Sequence, residues 1–169
     1  PGAPSGIFIH NNHSDWNGPR LAGWWGNNMK SRFSMDPNFD PIKGAEGWSI
    51  SNSPIFSMAP IKASLDIYNQ VGINNFIKAS QKLTGYLESL INAEMPKIEI
   101  ITPKRKENRG CQLSMIIKDG RNVQNYLELN NVVCDWREPD VIRIAPNPLY
   151  NTYNEIYQLV KLLKNYDKK

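Results

Sequence analysis

Histidine and cysteine are scarce, with two of each in 169 residues. Both histidines fall in one stretch, His10-Asn11-Asn12-His13-Ser14-Asp15. A metal site there would need two rings and a carboxylate aligned by a regular element. The stretch follows a strand-like run and has no helical register, so it is read as a polar surface turn and no metal is expected. Cys111 and Cys134 each sit in an apolar, strand-like run. With no secretory pattern at the start, they are expected as two reduced, buried thiols in a cytoplasmic protein. No apolar run approaches the roughly 20 residues that span a bilayer, so no membrane partner is expected. No glycine-rich loop precedes a helix with nucleotide-binding spacing, and no Cys-His or Ser-His-Asp set suggests a nucleophile. The net charge of +4 is modest. Its basic residues gather in Lys104-Arg105-Lys106 and in Lys161, Lys164, Lys168 and Lys169, without interleaved aromatics. That predicts a solvated surface and no nucleic-acid partner.

Regular structure is also unevenly spread. Residues 1–53 hold seven of the eleven glycines and four of the five tryptophans, with little helical periodicity. Gly6-Ile7-Phe8-Ile9-His10 reads as a strand and Trp48-Ser49-Ile50 as a second short one. So much irregular chain buries too little apolar surface to offset its ordering entropy. Residues 1–53 are therefore expected to be the trailing edge of a larger domain, with apolar surface exposed that favours self-association. The opening Pro1-Gly2-Ala3-Pro4-Ser5-Gly6 reads as the middle of a loop, which suggests a fragment.

From residue 54 the pattern is regular, and residues 54–169 are expected to form a small domain. Pro54–Gln70 has helical spacing at Met58, Ile61, Leu65 and Tyr68, closing at Gly72. A second helix carries Ile73, Phe76, Ile77, Ser80, Leu83, Leu87, Leu90 and Ile91 on one face. Strands are predicted at Ile98–Thr102, Cys111–Ile117, Val132–Cys134 and Val141–Ala145, with Asp135–Asp140 as a polar turn. Asp119 is expected to cap a helix reaching about Asn130 and burying Val123 and Leu127. Thr152 and Glu155 form a capping-box pattern ahead of a last helix that buries Ile156, Leu159, Val160 and Leu163. An α/β fold follows: an antiparallel-rich sheet of three or four strands with helices on one face.

Four local features exceed what a scaffold needs. Gly23-Trp24-Trp25-Gly26 sets two large aromatics between glycines, as a hydrophobic plug or a binding element. Asn52 stands where loop becomes helix, as a cap or a ligand contact. Gly85 sits mid-helix, at a cost of about 1 kcal/mol against alanine, which suggests close packing on a neighbour. Arg143 interrupts the apolar strand Val141-Ile142-Arg143-Ile144-Ala145. A buried arginine cannot shed its charge and must meet an acid. That acid is either an internal Asp or Glu or the carboxylate of a ligand.

Ten stretches, taken in order, resemble the kynureninases. They are Gly23-Trp24-Trp25-Gly26, Arg32-Phe33-Ser34-Met35, Gly44-Ala45-Glu46-Gly47, Ser51-Asn52-Ser53-Pro54-Ile55 and Ala63-Ser64-Leu65-Asp66-Ile67. The others are Leu83-Thr84-Gly85-Tyr86-Leu87-Glu88, Ile101-Thr102-Pro103, Arg109-Gly110-Cys111-Gln112-Leu113-Ser114, Val132–Pro139 and Ile142–Asn151. The resemblance implies the small domain of an aspartate-aminotransferase-like fold that depends on pyridoxal 5'-phosphate (PLP), preceded by the tail of the large domain. It implies a homodimer and a small-molecule substrate, kynurenine or 3-hydroxykynurenine, hydrolysed to an anthranilate and alanine in tryptophan breakdown. Trp24 then matches a tryptophan at the PLP phosphate of the neighbouring subunit. Asn52 matches an asparagine reaching both phosphate and substrate, and Arg143 the arginine that holds the substrate α-carboxylate with no protein acid of its own.

The Schiff-base lysine, preceded by tyrosine, would lie just upstream of Pro1, so no catalytic residue is assigned within this stretch and the fragment alone is expected to be inactive. Asn27 stands where histidine is common, and Ser53 where a second proline is usual. A truncated paralogue acting as a dimerisation or interaction module is the competing reading. A cysteine desulfurase is disfavoured by the Trp-Trp, Ser-Asn-Ser-Pro and Leu-Thr-Gly-Tyr-Leu-Glu segments.

Overall fold

The computed structural model describes residues 4–166, so Pro1-Gly2-Ala3 of the opening and Lys168 and Lys169 of the basic tail lie outside the described residues. The chain divides into two compact units between Ile67 and Tyr68. The composition change at residue 54 comes fourteen residues before the second unit begins, and α1 (Ile55–Val71) runs through the division.

The first unit, up to Ile67, consists largely of loops. Short 3-10 turns occur at Asn11–His13, Trp24–Gly26 and Gly44–Trp48. Gly6–His10 pairs with no strand, and Trp48 ends a 3-10 turn instead of opening a strand. Apolar content alone suggested both strands; neither pairs with a strand among the described residues. His10 Nδ1 instead accepts from the Asn12 N–H at 3.2 Å, which closes the His10–His13 turn on itself. Apolar side chains are left open as expected, with Phe8 84% and Leu21 76% exposed. α1 buries none of its residues, and Phe56 is 94% exposed.

The second unit has a conventional core. Gly72, at φ +82°, takes a left-handed conformation that favours glycine and separates α1 from α2 (Ile73–Glu94). Phe76, Leu83, Leu87 and Ile91 form the buried stripe of α2 at helical spacing, whereas Ile73 and Ile77 stay exposed. There follow β1 (Glu99–Ile100), β2 (Leu113–Ile116), α3 (Gly120–Leu129), β3 (Asp135–Arg137), β4 (Val141–Ile144) and α4 (Tyr153–Tyr166). The strands form one antiparallel sheet in the order β1-β2-β4-β3. Leu113 pairs with Ile144 and Met115 with Ile142, and all four are buried in the cluster formed with Leu83, Leu87, Ile91, Val123, Leu127 and the α4 stripe. One face of the sheet is thus covered by helices, as expected. The capping box is present: Glu155 Oε2 accepts from the Thr152 N–H at 2.7 Å, and Thr152 Oγ1 accepts from the Glu155 N–H at 3.2 Å.

Three expectations need correction. Val132–Cys134 is not a strand, because Val132 N–H is spent on Leu127 O at 2.9 Å, closing α3 after Asn131 turns at φ +61°. The third strand lies instead at Asp135–Arg137, inside the stretch read as a turn. Asp119 does mark the start of α3, but it has φ +61° and its side chain caps nothing. Its carboxylate accepts from Asn122 Nδ2 and the Tyr166 hydroxyl, while Asp140 Oδ1 accepts from Gly120 N–H.

Gly85 is the third correction. A Cβ added there meets nothing within 4 Å, so no close neighbour among the described residues explains it. Gly85→Ala is expected to raise the stability of this unit by about 0.5–1 kcal/mol through unfolded-state entropy and helix propensity. Thermal unfolding of the intact protein checks this. A fall in the melting temperature would mean that something else packs against this turn of α2.

Candidate functional sites

Each unit carries one candidate surface. In the first, the Gly23-Trp24-Trp25-Gly26 turn is jammed against the chain that leads to Asn52. A Cβ on Gly23 would stand 2.1 Å from Ile50 O, and one on Gly26 would stand 2.6 Å from Gly47 O. No side chain fits at either position, so both glycines are required by close backbone approach. The segments bearing Trp24 and Asn52 are thereby held together, which the sequence alone did not show.

Trp24 is 57% exposed, with its ring edge-to-face on Phe33 at 5.5 Å. Its indole N–H has no acceptor among the described residues, and the exposed Asn52 amide is likewise unengaged. Trp24 lines a cavity of about 290 Å³ with Asn27, Arg32, Met35 and Asp36. Asn27, the departure from the family pattern, has a local structural role. Its Oδ1 accepts from the N–H groups of Asn28 at 3.0 Å and Asp40 at 2.9 Å, pinning the loop that frames this cavity.

Arg32 was not singled out from the sequence, yet it is only 7% exposed. Its guanidinium stacks on Trp25 at 4.6 Å and donates through Nη2 to Asn27 O at 3.2 Å. Nε is buried without a hydrogen-bond partner, and no ion pair engages the group among the described residues. A buried donor left in that state costs about 1–3 kcal/mol, and more when charged. Such a surface, with free donors and an uncompensated cation, fits an anionic group.

The second surface is the outer face of the sheet. Opposed residues of antiparallel strands share a face. Ser114 and Asp135 are the cross-strand partners of Arg143 on either side, so these three lie opposite the buried face. Arg143 is not buried as expected, for its side chain is 30% exposed on this open face. Nor does it lack an acid of its own. Asp135 Oδ2 accepts from Nε at 2.5 Å and also from Nη2. Arg137 Nε lies 3.3 Å from the same oxygen, so two guanidiniums share one carboxylate. Asp135 takes the side edge of Arg143 and leaves its end-on pair, Nη1 and the second Nη2 hydrogen, without a partner among the described residues. That free fork has the geometry that receives a carboxylate bidentately.

Beneath the surface, two of the quoted stretches are stitched together. Thr84 Oγ1 donates to Cys111 O at 3.1 Å, and Arg109 Nη2 bonds Glu88 Oε2 at 2.5 Å. The Arg109 side chain is 4% exposed and also donates to Pro103 O at 3.1 Å. The hydrogen bond it donates to Glu88 holds the guanidinium pKa above its ordinary value. A faint signal was present: Thr84 and Glu88 are four apart on α2, flanking its buried stripe, where two polar groups need partners. The cysteines are free and half-buried, less enclosed than expected. Burial, and then the nearby charge of Glu128, push the Cys134 thiol up, which makes it a poor nucleophile. No three metal-ligating side chains cluster among the described residues.

Comparison with known proteins places the chain in a family and says nothing of these two surfaces. A family profile described as the kynureninase C-terminal domain matches residues 77–163. A kynureninase of Flavobacterium psychrophilum is 48% identical over 171 residues, covering 97% of this chain and 40% of its own length. One from Xanthomonas campestris pv. campestris is 47% identical over 166 residues, covering 95% and 39%. The chain thus spans about 40% of the length of the curated relatives it matches. Among solved structures, a C-DES K223A mutant with glycine covalently linked to its PLP cofactor superposes with a TM-score of 0.72 at 17% identity, over 92% of this chain and 40% of that one. The apo cysteine desulfurase of Thermococcus onnurineus NA1 gives 0.71 at 11% identity, over 95% and 42%. At such identities these two report the fold alone, an α/β architecture.

Proposed function

Because the chain belongs to the kynureninase family, we propose that it forms the C-terminal part of an enzyme hydrolysing L-kynurenine or 3-hydroxykynurenine to an anthranilate and L-alanine. The observation that carries this reading is the free end-on fork of Arg143, on an open sheet face with its side edge already held by Asp135. In this proposal the fork receives the substrate α-carboxylate. Two parallel charge-assisted bonds fix the amino acid in the plane of the guanidinium, which aims the bond to be cleaved.

Trp24 and Asn52 are proposed to face PLP across a homodimer interface. The Trp24 indole N–H donates to the phosphate while its ring excludes water, and the Asn52 amide bonds both phosphate and substrate. PLP, when bound, supplies the conjugated ring that draws electrons from the breaking bond. By the family resemblance the lysine that anchors it lies upstream of this stretch. A cytoplasmic setting is supported by the two free cysteines. No helix among the described residues is long and apolar enough to cross a membrane.

The test uses the intact protein that carries this chain, supplied with PLP and L-kynurenine. Equal amounts of anthranilate and alanine are expected, the first read by its fluorescence. A protein that takes up PLP yet releases neither product contradicts the proposal.

A further inference from the structure

Arg32 has no role in the reading above, and the structure leaves its charge unexplained. We propose that Arg32 is the fixed cation of an oxyanion site in the Trp24 cavity, and that the oxyanion it meets is the phosphate of bound PLP. This rests on the proposed function and adds a residue to it. Arg32 lines the cavity together with Trp24 and Asn27. It is more than nine-tenths buried, and its Nε is buried without a partner.

The one carboxylate among the cavity residues is Asp36. Its Oδ1 is turned to Asn38, accepting from the backbone N–H at 2.8 Å and from Nδ2 at 3.1 Å. It forms no ion pair with Arg32. A guanidinium cannot lose its proton at any ordinary pH, so its compensation must come from an anion brought to it. The stacking on Trp25 and the bond to Asn27 O hold its plane in place before any ligand arrives. A planar fork held in that way, eight residues from a free indole N–H, matches the several oxygens of a phosphate. The class of ligand is therefore a phosphate monoester, and its sources are the cofactor or inorganic phosphate.

Absorbance titrations of the intact protein with PLP and with pyridoxal, which has the ring but no phosphate, separate the cases. Arg32→Met is expected to weaken PLP binding by about tenfold or more and to leave pyridoxal affinity within about twofold. In the wild type, inorganic phosphate should compete with PLP but not with pyridoxal, and the variant should lose that competition. Equal weakening of both compounds, or of neither, overturns the proposal. If Arg32→Met fails to fold, Arg32→Lys keeps the charge without the fork and must still bind PLP more weakly than wild type while retaining pyridoxal. Trp24→Phe separates this from the parent reading. If it leaves PLP affinity unchanged, the placement of the cofactor at this cavity is wrong; if only Arg32 proves silent, that placement stands and this assignment falls.

Discussion

The intact protein carrying Arg143→Ala is expected to keep its PLP absorbance and lose kynurenine turnover, with kcat/KM falling by about 10²–10³-fold. Truncating one partner of a desolvated, hydrogen-bonded charge pair costs about 2–5 kcal/mol, and here that loss falls on substrate and transition state. Folding should be little affected. Asp135 is 43% exposed and keeps Arg137 at 3.3 Å when Arg143 is removed, so no buried acid is orphaned. Activity and stability therefore separate cleanly. Turnover within a few-fold of wild type would remove Arg143 from the substrate site and leave it a structural partner of Asp135.

Glu88→Ala should produce the largest loss of stability, about 3–5 kcal/mol. The Arg109 side chain is 4% exposed and would retain only the Pro103 carbonyl as a partner among the described residues. An uncompensated buried guanidinium is far costlier than the net value of the pair it left. The break also frees α2 from the segment leading into β2, which Thr84 alone would then tie through Cys111 O. Replacing both members, Glu88→Leu with Arg109→Met, should recover most of the loss. Thermal or urea unfolding followed in the intact protein measures both. A drop below about 1 kcal/mol for Glu88→Ala would show that water reaches Arg109 more freely than its burial implies.

What the sequence made legible was local. The α4 stripe of Ile156, Leu159, Val160 and Leu163 and the Thr152–Glu155 box depend on spacings of three and four residues. Apart from β3, the helices and strands of the second unit were equally readable, because each of them carries its own period and its own stop signal. What escaped depends on partners far along the chain. The acid that meets Arg143 lies in a stretch whose Asp, Arg, Glu and Pro content reads as turn; only the cross-strand register makes Asp135–Arg137 a strand. The Glu88–Arg109 pair spans twenty-one residues. The glycines at 23 and 26 stood out in the sequence only as flanks of two tryptophans, whereas the structure needs them for close contact with the backbone of residues 47–50.

At the candidate site, the residue types and their positions came from family resemblance, and the structure shows which polar groups of each have no partner among the described residues. Trp24 has an unengaged donor, Asn52 an unengaged amide, and Arg143 an edge that its own acid does not occupy.

The most direct measurement compares L-kynurenine with its carboxamide, in which the carboxylate is replaced by a neutral amide, on wild type and on Arg143→Met. If the end-on fork grips the carboxylate, wild type should prefer the acid by about 10²-fold or more in kcat/KM, and the variant should hardly distinguish the two. A preference that survives unchanged in Arg143→Met would contradict the account.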